Sequence, residues 1–118
     1  MEEGRLMHSM LLDFYGELLT QKQRDCFDLH YNEDLSLSEI AGELGISRQG
    51  VWDNIRRAEA ALTEIESKTG LIRRFTHTRQ RLEALSLKME ELIALSEGKA
   101  RELAVSAAED IEAMKPEV

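Results

Sequence analysis

The run Leu37-Ser38-Glu39-Ile40-Ala41-Gly42-Glu43-Leu44-Gly45-Ile46-Ser47-Arg48-Gln49-Gly50-Val51-Trp52 decides the fold, because it reads as two short helices joined by a tight glycine turn. Ile40, Ala41 and Leu44 fall at the i, i+1, i+4 spacing of an inward stripe, and Ala41 is the small residue at a close helix crossing. Gly45 supplies the left-handed turn conformation that a Cβ resists. Ile46 tucks under the turn, and Ser47 can cap the free N–H groups of the next helix. Val51, Ile55, Ala58 and Leu62 then continue an inner face at i, i+4, i+7 and i+11. The outward set is Arg48, Gln49, Trp52, Asp53 and Arg56, polar for the most part and suited to a helix that enters a major groove.

Working towards the N-terminus, Ser36 and Glu39 form a capping-box pattern at the start of this motif, and Asn32-Glu33-Asp34-Leu35 reads as a turn. Thr20 with Gln23 gives a second capping box, opening a helix that carries Cys26, Phe27, His30 and Tyr31. A first helix is expected from about Arg5 to Leu18, its inner side made of Leu6, Met10, Phe14 and Leu18 or of Met7, Leu11 and Leu18.

Towards the C-terminus the helical pattern runs from Ser47 to about Lys68 and stops at Thr69-Gly70. Phe75, Thr78, Leu82, Leu85, Met89, Leu92, Ser96 and Lys99 then alternate by three and four as a heptad-like seam. Leu103, Ala107, Ile111 and Met114 resume after a break near Gly98. We therefore expect an all-α protein: a small helix-turn-helix head over residues 1–70, winged-helix-like, and a long helical tail over residues 71–118. A narrow apolar stripe cannot stay uncovered, so Phe75, Leu82, Leu85, Met89 and Leu92 are expected to pack on the head or join two chains as a homodimer.

Composition limits the function. The chain has 118 residues, 42% of them apolar and 5% aromatic, which favours modest helix–helix cores. The net charge is −8, yet no acid occurs between Glu66 and Glu83, a span that holds Lys68, Arg73, Arg74, Arg79 and Arg81. Binding to phosphates is then local and salt-sensitive, with Lys68, Arg73 and Arg74 as candidate contacts. One cysteine, Cys26, excludes an internal disulfide and a multi-thiolate zinc site, and His8, His30 and His77 are scattered. No metal or cofactor is expected, and no pocket of paired carboxylates points to an enzyme. No apolar run reaches the length of a signal peptide or membrane span, so a cytoplasmic protein is expected.

Leu19-Thr20-Gln21-Lys22-Gln23-Arg24, the run from Asp34 to Ala41 and Gly45-Ile46-Ser47-Arg48-Gln49 resemble region 4 of bacterial sigma factors, which reads the −35 promoter element. The segment from Leu11 to Thr20, the run Asp34–Ala41 and Ser47–Arg57 are similar to the YlxM family of small bacterial proteins, over roughly residues 8–75. Two positions depart from the pattern: Gly50 stands where alanine is usual, and Asn54 where an apolar residue is common, with Ile55 beside it to fill the inner place. Members of that family are encoded beside the genes for the signal recognition particle GTPase and its receptor. The resemblance implies a DNA-binding regulator or accessory factor of that targeting pathway. An adaptor that contacts the particle's GTPase or RNA is the alternative. Arg48, Gln49, Trp52 and Arg56 are the expected base or groove contacts, with Ser47 and Arg57 at phosphates.

Overall fold

The computed structural model describes residues 2–116, with side chains from Gly4 onward. Six α-helices follow in order: α1 (Glu2–Tyr15), a 3-10 turn (Gly16–Leu18), α2 (Gln21–Tyr31), α3 (Leu37–Leu44), α4 (Arg48–Thr69), α5 (Leu71–Leu95) and α6 (Gly98–Met114). The chain is all-α. The described residues contain no strand, so the head has no β-wing: Gly70 leads directly from α4 into α5. The chain divides into two compact units, Met1–Ile72 and Arg73–Val118.

Local chemistry sets the helix ends of the first unit. Thr20 and Ser36 each close a reciprocal capping box, with Gln23 and Glu39 as the returning side chains. Hydrogen bonds from the Ser36 backbone and then its hydroxyl hold the Glu39 carboxyl below its usual range. Gly45 (φ 69°, ψ 35°) and Gly70 (φ 62°, ψ 19°) end α3 and α4 in the left-handed region, where a Cβ is strained.

Three elements meet in the core. Cys26 from α2, Ile40 from α3, and Val51 and Ile55 from α4 are fully buried together, with Leu29, Leu35, Leu37, Ala41, Leu44 and Ile46 packed around them. Phe27, Ala58 and Leu62 are also fully buried. Burying each large apolar side chain of this kind contributes roughly 1.5–3 kcal/mol. The Cys26 thiol is pushed up by burial, then by the neighbouring Asp25 carboxylate, which suits an inert packing residue.

The first helix departs from the sequence expectation. It ends at Tyr15, and Met10, Leu11, Tyr15 and Leu19 are the buried side chains, whereas Leu6, Met7 and Leu18 are exposed. The cause is the tighter turn at Gly16, whose carbonyl accepts from Arg24 Nε at 3.2 Å. A Cβ there would lie 3.1 Å from Leu12 Cδ1, and the changed winding turns Leu19 inward in place of Leu18.

Polar ties join distant segments of this unit. The Tyr15 hydroxyl donates to Glu66 Oε1 at 2.6 Å and lies 2.6 Å from Thr69 Oγ1, while Glu66 Oε1 also accepts from Ile72 N at 3.0 Å. His8 stacks on Tyr31 with ring centroids 3.8 Å apart, and the Tyr31 hydroxyl donates to Glu59 Oε2 at 3.0 Å.

In the second unit, Lys115 Nζ lies 3.7 Å from Glu83 Oε2, which brings the end of α6 back beside α5 as a helical hairpin. The inner row of α5 is Leu82, Ser86, Met89 and Ile93, and that of α6 is Ala104, Ala107, Ala108 and Ile111. The heptad seam expected from sequence is therefore divided. Leu82 is buried, Phe75 and Met89 are half-buried, and Leu85 and Leu92 are exposed. Counting apolar residues selects Leu85 and Leu92, but the hairpin turns the adjacent Ser86 and Ile93 towards its interior instead. No helix among the described residues is long and apolar enough to cross a membrane.

Candidate nucleic-acid interface

The site is built on α4, and its construction starts at the turn. Gly45 N and Ile46 N both donate to the Ala41 carbonyl, at 2.9 and 3.2 Å, closing α3. Ser47 then caps α4: its Oγ accepts from Gly50 N at 2.9 Å. That bond leaves the hydroxyl's own proton available to donate outward. The same geometry accounts for Gly50, since a Cβ at that position would meet Ser47 Oγ at 3.2 Å and press on the cap. Asn54 is accommodated because its Nδ2 donates to the Gly50 carbonyl at 2.8 Å, while Ile55 takes the fully buried place.

With Val51, Ile55, Ala58 and Leu62 all buried, the helical period of about 3.6 residues fixes what the rest of α4 presents. Gln49, Asp53 and Arg56 lie opposite the core, Arg48 and Trp52 on one flank, and Arg57 on the other. Arg48, Gln49 and Trp52 line a shallow hollow together with Leu37 at the start of α3. Trp52 is 39% exposed, its indole forming part of the hollow's wall. Sequence reasoning missed Leu37 as a site residue, since only the packing of α3 on α4 sets it beside Trp52.

Electrostatics favour anions at this end. Arg48, Arg56 and Arg57 are exposed and have no ion pair within the chain among the described residues. Asp53, the one acid among them, accepts from Gln49 Nε2 at 3.1 Å. The remaining candidate phosphate contacts stand elsewhere. Lys68 is at the far end of α4, paired with Glu64 at 3.2 Å, and Arg73 and Arg74 belong to the second unit. The structure thus brings together Arg48, Gln49 and Trp52 beside the Ser47 cap, carries Arg56 one turn further along α4 and Arg57 on the opposite flank, and leaves Lys68 outside that group.

The comparison with known proteins agrees with this architecture. Residues 2–101 match the profile of a family described as "Putative helix-turn-helix protein, YlxM / p13 like", or UPF0122. A UPF0122 protein of Bacillus thuringiensis (strain Al Hakam) is 53% identical over 87 residues, covering 74% of this chain and 76% of that one. One from Thermoanaerobacter sp. (strain X514) is 43% identical over 90 residues, 76% and 77% of the two chains. One from Acetivibrio thermocellus is 52% identical over 73 residues, which is 62% of each chain. A chain with two capped helices around a left-handed glycine, matched along most of its length by this profile, belongs to the UPF0122 family of YlxM / p13 like helix-turn-helix proteins.

Proposed function

We propose that this protein binds duplex DNA through the first half of α4. In this reading Arg48, Gln49, Trp52 and Arg56 meet base edges in the major groove, and Ser47 and Arg57 contact the flanking phosphates. The observation that carries it is a helix with one face buried, by Val51, Ile55, Ala58 and Leu62, and with Arg48, Arg56 and Arg57 exposed around the rest and without an ion pair among the described residues. A guanidinium can pair bidentately with the O6 and N7 of guanine, and the Trp52–Leu37 hollow suits a thymine methyl. The acidic whole makes the contact short-ranged: with a net charge of −8, attraction to DNA is confined to locally basic surface such as this end of α4. The biological setting we propose is accessory or regulatory, and the YlxM resemblance directs it to the signal recognition particle pathway.

Selection from a random duplex pool at about 50 mM salt, followed by anisotropy titration of the enriched sequence, tests the reading. Arg48→Ala and Arg56→Ala are expected to weaken binding with unchanged helix content. No enrichment and no retarded complex would overturn it. The hollow formed by Trp52 and Leu37 favours one second reading, an adaptor that anchors a partner protein's side chain there. An adaptor would tolerate the arginine changes and lose its partner with Trp52→Ala.

A further inference from the structure

Asp53 is an acid in the middle of the face assigned to DNA, where its charge works against phosphate attraction. Its hydrogen bond gives it a use there. Gln49 and Asp53 stand one turn apart on α4, both exposed, and Gln49 Nε2 donates to Asp53 Oδ1 at 3.1 Å. Arg56 and Arg57 follow three and four residues after Asp53, yet neither forms an ion pair with it among the described residues, so the carboxylate serves the amide. A carboxylate only accepts hydrogen bonds, which means that the nitrogen end of the Gln49 amide faces Asp53. One N–H is thereby committed. The second N–H and the Oε1 carbonyl make no other hydrogen bond among the described residues and are left for a ligand.

We propose, resting on the reading of α4 as the helix that meets duplex DNA, that Gln49 selects adenine and that Asp53 is the positioning residue behind this selectivity. Adenine shows the major groove an acceptor at N7 and a donor at N6, so Oε1 accepts from N6 while the N–H beside it donates to N7. The N–H on the far edge of the amide is the one that serves Asp53 at the same time. Guanine instead shows two acceptors, N7 and O6, and an amide with one N–H held by Asp53 sets Oε1 against the second of them. Without Asp53 both N–H groups are free and the amide can turn, which brings adenine and guanine closer in affinity. Gln49 lies two residues after the Ser47 cap, in the first turn of α4, where a helix entering the groove meets base edges. It also lines the hollow walled by Leu37 and Trp52, and the thymine opposite adenine carries its C5 methyl on the same groove edge. Both features therefore fit an A·T pair.

Anisotropy titration of the full chain with the duplex enriched from a random pool tests the proposal. Enrichment is expected to fix an A·T pair at one position. Exchanging that pair for G·C should weaken binding by about tenfold or more, and the deaza analogue of adenine that lacks only N7 should weaken it by about fivefold. Gln49→Ala should abolish both penalties. Asp53→Ala should separate the two residues' roles: an unselected duplex binds more tightly, because a negative charge has left the face, while the preference for adenine over guanine falls towards that of Gln49→Ala. Both changes are exposed, and circular dichroism checks that helix content is retained. An enriched duplex without a fixed A·T pair, or a preference that survives Gln49→Ala, would overturn the role of Gln49 and leave α4 as the DNA helix. An adenine preference equal in the parent and in Asp53→Ala would overturn the positioning role, as would a fixed cytosine lost in that variant, since the carboxylate would then read the base itself. Absence of binding to every duplex would overturn the DNA reading and this inference with it, a result distinct from the others.

Discussion

The head and the tail are made of the same secondary structure and finished to different degrees. In the head, Thr20, Ser36 and Ser47 cap their helices, Gly45 and Gly70 stop theirs, and the core holds Phe27, Ile40, Val51, Ile55 and Leu62 with no exposure. In the tail, α6 starts without a side-chain cap at Glu97, its buried residues are Ala104 and Ile111, and the Ser86 hydroxyl is buried with no hydrogen-bond partner among the described residues. A helical segment whose ends and core are fully specified folds on its own account and frees its outer face for a ligand. One that leaves Leu85, Leu92, Leu95 and Leu103 outside keeps apolar surface that its own interior does not cover.

The sharpest way to break this contrast is to truncate both regions. Phe27→Ala should cost about 3–5 kcal/mol, because a large ring is removed from a site that cannot collapse. Chemical denaturation of the full chain measures it, and a loss below about 1 kcal/mol would mean that the head core is as loose as the tail.

The head's specification is also why much of it was legible. Capping boxes and glycine stops are signals within three or four residues, so Thr20, Ser36, Gly45, Ser47 and the inner face from Val51 to Leu62 could be read directly. The failures needed distant information. Leu18 against Leu19 depends on how the Gly16 turn winds, and Leu85 against Ser86 depends on where α6 lies. The Tyr15–Glu66 tie and the Glu59 bond to Tyr31 join residues far apart in sequence, and no local pattern announces them. At the candidate interface the outward residues of α4 followed from its period. Leu37 did not, because only the packed pair of helices sets it beside Trp52.

Binding sharpens the comparison next. Arg48→Ala and Arg56→Ala should each weaken DNA affinity by about 1–3 kcal/mol, whereas Arg79→Ala in the tail should change it little. Anisotropy titrations at one salt concentration decide between them. Equal losses at all three positions would indicate diffuse charge attraction without a recognition helix.

Smaller effects probe the head's polar details. Ser47→Ala should lower stability by about 1 kcal/mol, read as a fall in melting temperature, since Gly50 N loses its acceptor. Tyr31 gives a pH signature. Burial first, then its hydrogen bond to Glu59 and that carboxylate's charge, push the phenol up from 10.0 to about 12. The folded state holds this proton more tightly than the unfolded chain, so the contribution is whole below pH 10 and fades as pH rises from 10 to about 12. Denaturation of the parent and of Tyr31→Phe across that range should show the parent alone losing this increment. In the tail, Leu92→Ala should change the stability of the hairpin within one chain by less than about 0.5 kcal/mol.

Trp52 is the chain's single tryptophan and lies in the middle of the face assigned to DNA, so its emission reports that face alone. Titration of the protein with its selected duplex at low salt should shift or quench the Trp52 emission saturably, and added salt should reverse the change with a log–log slope of about −2 to −4. A duplex that binds without altering Trp52 emission, or binding that persists unchanged as salt is raised, would contradict the assignment of α4 as the helix that meets DNA.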